Sequence, residues 1–152
     1  MQLTDNFSLA QLTFSETAEQ KGIDNAAPPE IVGNLRRLAN GLEAVQALLG
    51  MPLDISSGYR CPELNRAVGG SPTSQHTLGL AADFVCAGFG TPLDVAAAIQ
   101  ASAIEFDQCI LEYGRWVHLS FSTAPRGRVL SIYNSHDGYL DGLRDADGNI
   151  VA

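Results

Sequence analysis

Basic side chains are scarce: nine lysines and arginines face seventeen aspartates and glutamates, giving a formal net charge of -8 and an isoelectric point near 4.6. The nine are also scattered, so the chain lacks the cationic stripe that neutralises a phosphate backbone, and nucleic-acid binding is excluded as a function class. Cysteine is nearly as rare. Cys61, Cys86 and Cys109 are odd in number and lack CxxC spacing, which argues against a disulfide framework and reads as three reduced thiols in a chain folded in the cytoplasm. No apolar run is long enough to span a bilayer, and the opening "MQLTDNFSLAQLTFSETAEQ" has neither a basic n-region nor a continuous apolar core. The expectation is synthesis in the cytoplasm without a signal peptide. Internal repeats, low-complexity tracts and charge blocks are missing too, and so is any GxSxG elbow, which sets a serine hydrolase aside.

What is present is a globular composition, 45% hydrophobic and 17% charged, which is wrong for a disordered chain. A chain of 152 residues fits one domain, 1-152, and buries a core unaided, so any metal is not mainly a staple. A short capped helical turn is expected from Ser8. "APPEIVGNLRRLANGLEAVQALLG" is the longest helical signal: Pro28 and Pro29 suit a first turn and Gly50 a stop, while Ile31, Leu35, Leu38, Leu42, Val45, Leu48 and Leu49 fall on one face. "MPLDISSGYR" reads as a strand entering a turn, and "CPELNRAVGG" as a short helix closed by Gly69 and Gly70. "GLAADFVC" reads as a strand, and "TPLDVAAAIQASA" as a helix capped by Thr91 with Pro92 at its first position. "FDQCILEYGRWVHLSF" reads as two strands around a tight turn at Gly114. The predicted product is an α+β domain with a small, mostly antiparallel sheet and helices packed on it. Residues 129-152 are expected to add one strand near Val129 to Tyr133 and then a loosely ordered tail.

Chemistry concentrates in few residues. The chain has three histidines, His76, His118 and His136. Asp83 lies seven residues after His76 between Ala82 and Phe84, where an unpaired buried anion would be costly and a metal would offset the cost. Taken singly, each has an ordinary reading. A strand histidine is commonly a hydrogen-bonded structural residue, Asp83 a strand-end residue bonding nearby backbone, and His136 in "NSHDGYLDG" a polar turn residue. Together, His76, Asp83 and His118 suit a catalytic zinc, which keeps three protein ligands and one open position. The spacing rules out a single-helix HExxH motif, and Gly79 would let the loop bring His76 back toward the strand bearing Asp83.

The run Ser57 to Asp83, "SGYRCPELNRAVGGSPTSQHTLGLAAD", resembles the signature of the zinc D-alanyl-D-alanine carboxypeptidase family, which includes phage L-alanyl-D-glutamate endopeptidases and shares its metal site with the hedgehog signalling fold. Tyr59-Arg60, Asn65, Val68-Gly69-Gly70, Ser74, His76, Gly79, Ala81 and Asp83 stand at the expected spacing. The resemblance covers about Phe7 to Phe121 and points to the short single-domain peptidases of phages and prophages. It implies Zn2+ held by His76, Asp83 and His118, a small antiparallel sheet with helices on one side, and peptidoglycan stem peptides as substrate. Acting after release by a holin, or as part of a virion, is the expectation that goes with it, in a monomeric protein.

The family often places its acidic base three residues before the last histidine. That position here is Arg115. Glu112, six residues before His118 and on the other arm of the hairpin, is the substitute, as in hedgehog-type sites. Asp107 is a weaker candidate. Arg60 reads either as a surface cation or, by the resemblance, as the group that holds a peptide carboxylate or a tetrahedral oxyanion. Ser74 either binds substrate or caps the loop before His76. Gln75 and Trp116 are candidates for the groove wall, Trp116 equally for the core, and Tyr59 and Asn65 read as structural. The main expectation is a zinc metallopeptidase acting on the bacterial wall. The rival, favoured by Arg115, is a non-catalytic wall-binding or virion module that keeps the metal for stability.

Overall fold

Ser8 opens the first helix, α1 (Leu9–Thr13), its hydroxyl accepting from Gln11 N–H while the Gln11 side-chain oxygen accepts from Ser8 N–H. The computed structural model, which describes residues 1–152, continues with α2 (Glu16–Lys21), α3 (Pro29–Leu49), β1 (Asp54–Ser57), α4 (Pro62–Ala67), a 3-10 turn at Gln75–Leu78, β2 (Ala81–Val85) and α5 (Pro92–Gln100). Strands β3 (Gln108–Glu112), β4 (Trp116–Ser120), β5 (Arg128–Ile132) and β6 (Leu140–Asp141) follow. Helix α3 runs from Pro29 at its first turn to Gly50, which takes the left-handed conformation that a residue without Cβ adopts freely. Its buried stripe is Leu35, Leu38, Ala39, Leu42, Val45 and Leu49, whereas Leu48, expected on that face, falls at its margin and is exposed. Helix α2 was not anticipated. Ser15 caps it and Gly22 ends it, but Ala18 is its one buried residue, so no apolar period announces it.

The strands form one sheet in the order β1-β2-β4-β3-β5-β6, antiparallel throughout except for the parallel pair β3 and β5. Side chains alternate between faces along each strand. Ala82 and Phe84 of β2, Val117 and Leu119 of β4, and Cys109 and Leu111 of β3 join α3 and α5 in the main core. Each fully buried Leu or Phe contributes about 1.5–3 kcal/mol, so this one face holds the helices to the sheet. The fold is α+β, an open six-stranded, mostly antiparallel sheet with helices on one side, as the sequence implied. Segment 129-152 holds β5 from its second residue and all of β6, and beyond them Leu143 is wholly buried in the main core while Arg144 bridges to Ile150.

The other face carries Asp83, His118, Ile110 and Leu130 as a row of Cα partners across four strands. The turn joining β3 to β4 closes through Tyr113 and Gly114, both at positive φ (57° and 66°), with Arg115 N–H donating to the Glu112 carbonyl at 2.9 Å. Both central residues left-handed match the twist of a hairpin. Tyr113 is the only non-glycine residue at positive φ, so this turn holds some strain directly beside Glu112.

Candidate metal centre and its groove

His76 reaches the sheet through the segment between β1 and β2. The Ser74 hydroxyl caps the 3-10 turn by accepting from His76 N–H at 3.2 Å, and Gly79, at φ 72°, ends it with its N–H donating to the Gln75 and His76 carbonyls. Arg60 N–H donates to the His76 carbonyl at 3.1 Å, tying the two halves of the loop together. Beneath them, Asn25 donates through Nδ2 to the carbonyls of Thr13 and Tyr59 and accepts from Cys61 N–H, clamping the backbone on both sides of Arg60.

The three donors meet. Asp83 Oδ1 lies 3.2 Å from His76 Nε2 and 3.0 Å from His118 Nδ1, the two rings stand edge to face with centroids 5.0 Å apart, and the ligand atoms all lie within 4.8 Å of one another. His76 Nδ1 is 2.7 Å from the Gly58 carbonyl. A carbonyl can only accept, so Nδ1 carries a proton, and Nε2 is the ring atom turned toward the Asp83 carboxylate. Two imidazoles and a carboxylate, with one ring oriented by a backbone carbonyl, suit zinc. Burial by itself pushes the Asp83 pKa up, but the charges and hydrogen bonds of His76 and His118 prevail and hold it well below the usual carboxylate range.

Glu112 stands beside this group, its Oε1 3.9 Å from His118 Nδ1. Burial raises its pKa, and repulsion from Asp83 adds to that, against the opposing pull of His118 and Arg60. The Trp116 indole N–H also draws it down weakly, yet makes no full hydrogen bond and stays a buried donor without a partner. Arg60 is half-buried, which lowers its pKa against the attraction of Asp83 and Glu112. One terminal nitrogen donates to Ser74 Oγ at 3.2 Å and its Nε has no partner. These residues line an open groove of about 730 Å³.

The peptidase M15 family model matches residues 5–120. The chain belongs to the peptidase M15 family. No curated protein matches it. Peptidase M15 enzymes are zinc-dependent metallopeptidases, and this member has the His76, Asp83 and His118 group able to bind a metal ion. None of its helices is long and apolar enough to cross a membrane.

In this peptidase M15 chain the structure brings His76, Asp83, His118, Glu112, Arg60, Ser74, Gln75 and Trp116 to one groove, while His136 is exposed in a turn away from it. Ser74 serves as the cap and as a hydrogen-bond partner of Arg60. Asn65 is buried, its Nδ2 donating to the Ser71 carbonyl. Asp107, weighed as a base, makes no hydrogen bond or ion pair with the histidines. Its buried carboxylate accepts from Arg126 N–H, Nε and a terminal nitrogen at 3.0, 2.8 and 2.8 Å and from Gln75 Nε2 at 2.8 Å. Asn25, Arg126, Arg128 and Tyr139 were not foreseen as parts of the site or its support. They come from distant segments with no local motif, and the sole hint was the cost of leaving a buried Asp107 unpaired.

Two expected outcomes follow from this scaffold. A Cβ on Gly58 would collide with the backbone carbonyl oxygen of Leu12, which cannot rotate away as a flexible side chain could. Gly58→Ala should cost about 1–3 kcal/mol in denaturant unfolding and, by shifting the carbonyl that orients His76, weaken zinc binding about 10–100-fold. The Arg126 guanidinium, partly offset by burial, lowers the Asp107 pKa from 3.8 to about 2. A carboxyl whose folded pKa is depressed stabilises the fold above its unfolded value and loses that contribution as pH falls through the folded one. The stability difference between wild type and Asp107→Asn, at most about 2 kcal/mol, should therefore shrink between roughly pH 4 and pH 2 in paired denaturant titrations.

Proposed function

We propose that this chain is a zinc peptidase that hydrolyses peptide bonds in the stem peptides of bacterial peptidoglycan, and that it serves phage or prophage lysis or cell-wall penetration. The observation that carries the catalytic reading is Glu112, a carboxylate 3.9 Å from His118 in an open groove beside three converging donors. His76 Nε2, Asp83 Oδ1 and His118 Nδ1 would hold the metal. Bound there, zinc would polarise the scissile carbonyl and acidify a water. Glu112 accepts the proton of the attacking water and passes it to the leaving amine, a role that a buried carboxylate of raised pKa suits. Arg60, with an unpartnered Nε, offers a guanidinium to a substrate carboxylate or to the developing oxyanion. Gln75 and Trp116 form part of the wall along which the substrate would lie.

The rival reading as a non-catalytic wall-binding or virion module drew on Arg115 at the family's usual acid position. Arg115 is exposed in the hairpin turn, and the acid that sits beside the histidines is Glu112, which favours catalysis. The phage setting and the wall substrate rest on the resemblance of the Ser57 to Asp83 run. The test is to incubate purified protein with peptidoglycan: new amino groups should appear with zinc, cease with a chelator and return on zinc addition. A zinc-loaded protein that releases none from any wall chemotype would sink the reading.

A further inference from the structure

Three of the nine basic side chains of an acidic protein, Arg60, Arg126 and Arg128, line the one groove that holds the metal group. Two of them, Arg126 and Arg128, follow the family match, which ends at residue 120. The sheet's register gives the layout. His118, Ile110 and Leu130 are Cα partners on β4, β3 and β5, and Arg128 is the partner of Gln108 one row away on the same face. Neighbouring strands are about 4.8 Å apart, so β5 lies about 10 Å from β4, the span of about three extended residues. Ile110 and Leu130 form the floor between, buried with Ile132 in a cluster separate from the main core.

The two cations are held differently. Arg126 is fixed by three bonds to buried Asp107. Arg128 has one partner, Asp141 Oδ1 at 3.2 Å, and that aspartate is 85% exposed. Such exposed pairs contribute little, so a carboxylate arriving along the groove can take the place of Asp141 at no great loss and gain a paired, charge-assisted contact. We infer that Arg128, with Arg126 behind it, determines specificity for a free carboxylate on the substrate about two to three residues from the scissile bond. This rests on the peptidase reading and sharpens it: the preferred stem peptide is one whose side carboxylates are not amidated.

The experiment compares two synthetic stem peptides, identical except that the carboxylates of their second and third residues are free or amidated, with zinc-loaded protein. Wild type should cleave the free-acid peptide with kcat/KM higher by at least about tenfold, the scale of one charge-assisted hydrogen bond. Arg128→Gln should bring the two peptides level, chiefly through a higher KM for the free-acid peptide. Equal rates in wild type, or a preference that survives Arg128→Gln, overturns the inference. If neither peptide is cleaved, the peptidase reading fails separately, and calorimetric binding of the same two peptides decides this one. Tighter binding of the free acid that Arg128→Gln abolishes supports it, and equal affinities overturn it.

Discussion

Asp83→Asn should lose zinc affinity by more than the roughly 10–100-fold that removing a supporting partner costs, and lose turnover with it. The exchange keeps the side chain's volume and much of its hydrogen bonding, so the loss reports charge. Asp83 Oδ1 is the atom both imidazoles face, at 3.2 and 3.0 Å, and the three donors converge within 4.8 Å. Taking away the anion leaves two neutral nitrogens, which together hold a divalent cation far less well than two nitrogens and a carboxylate. Competition with a chromophoric chelator reads the affinity directly. An unchanged zinc affinity would show that the metal does not sit at Asp83.

Glu112→Gln should lower kcat by about 10²–10⁴, the range for removing a general base, with zinc still bound stoichiometrically. The amide is isosteric and can still pair with nearby donors, so the groove keeps its shape. What disappears is the group that accepts a proton. Glu112 lies 3.9 Å from His118 Nδ1 rather than within the tight Asp83 contacts, which places it beside the donor group and not as one of its members. Turnover unchanged in Glu112→Gln would remove this residue from the mechanism. Lost turnover together with lost zinc would make it a ligand rather than a base.

The residues bearing metal-binding chemistry were legible because each is anomalous in its own strand. Asp83 between Ala82 and Phe84 and His118 between Val117 and Leu119 are polar residues with buried apolar neighbours, and strand alternation turns both to the face away from the helices. Glu112 was legible through the hairpin: a tight turn at Gly114 makes it the Cα partner of Trp116, one row from the Ile110 and His118 pair. The opposite wall of the groove was not legible. Strand β5 pairs in parallel with β3, and a parallel partner leaves no turn signature in the sequence between the two. Arg126 and Arg128 therefore read as scattered surface charge until the register sets them beside Gln75 and Gln108. Asn25 escaped for a similar reason, since its three bonds reach residues 12, 34 and 36 positions away. Asp107 shows the converse case: its chemistry fitted a base, and only the geometry reveals that Arg126 and Gln75 occupy it.

Mass spectrometry of purified muropeptides incubated with the zinc-loaded protein tests the central claim most directly. The account predicts fragment pairs whose summed mass exceeds that of a parent stem peptide by one water, absent with chelator and absent with Glu112→Gln. Intact muropeptides at full zinc occupancy would contradict it.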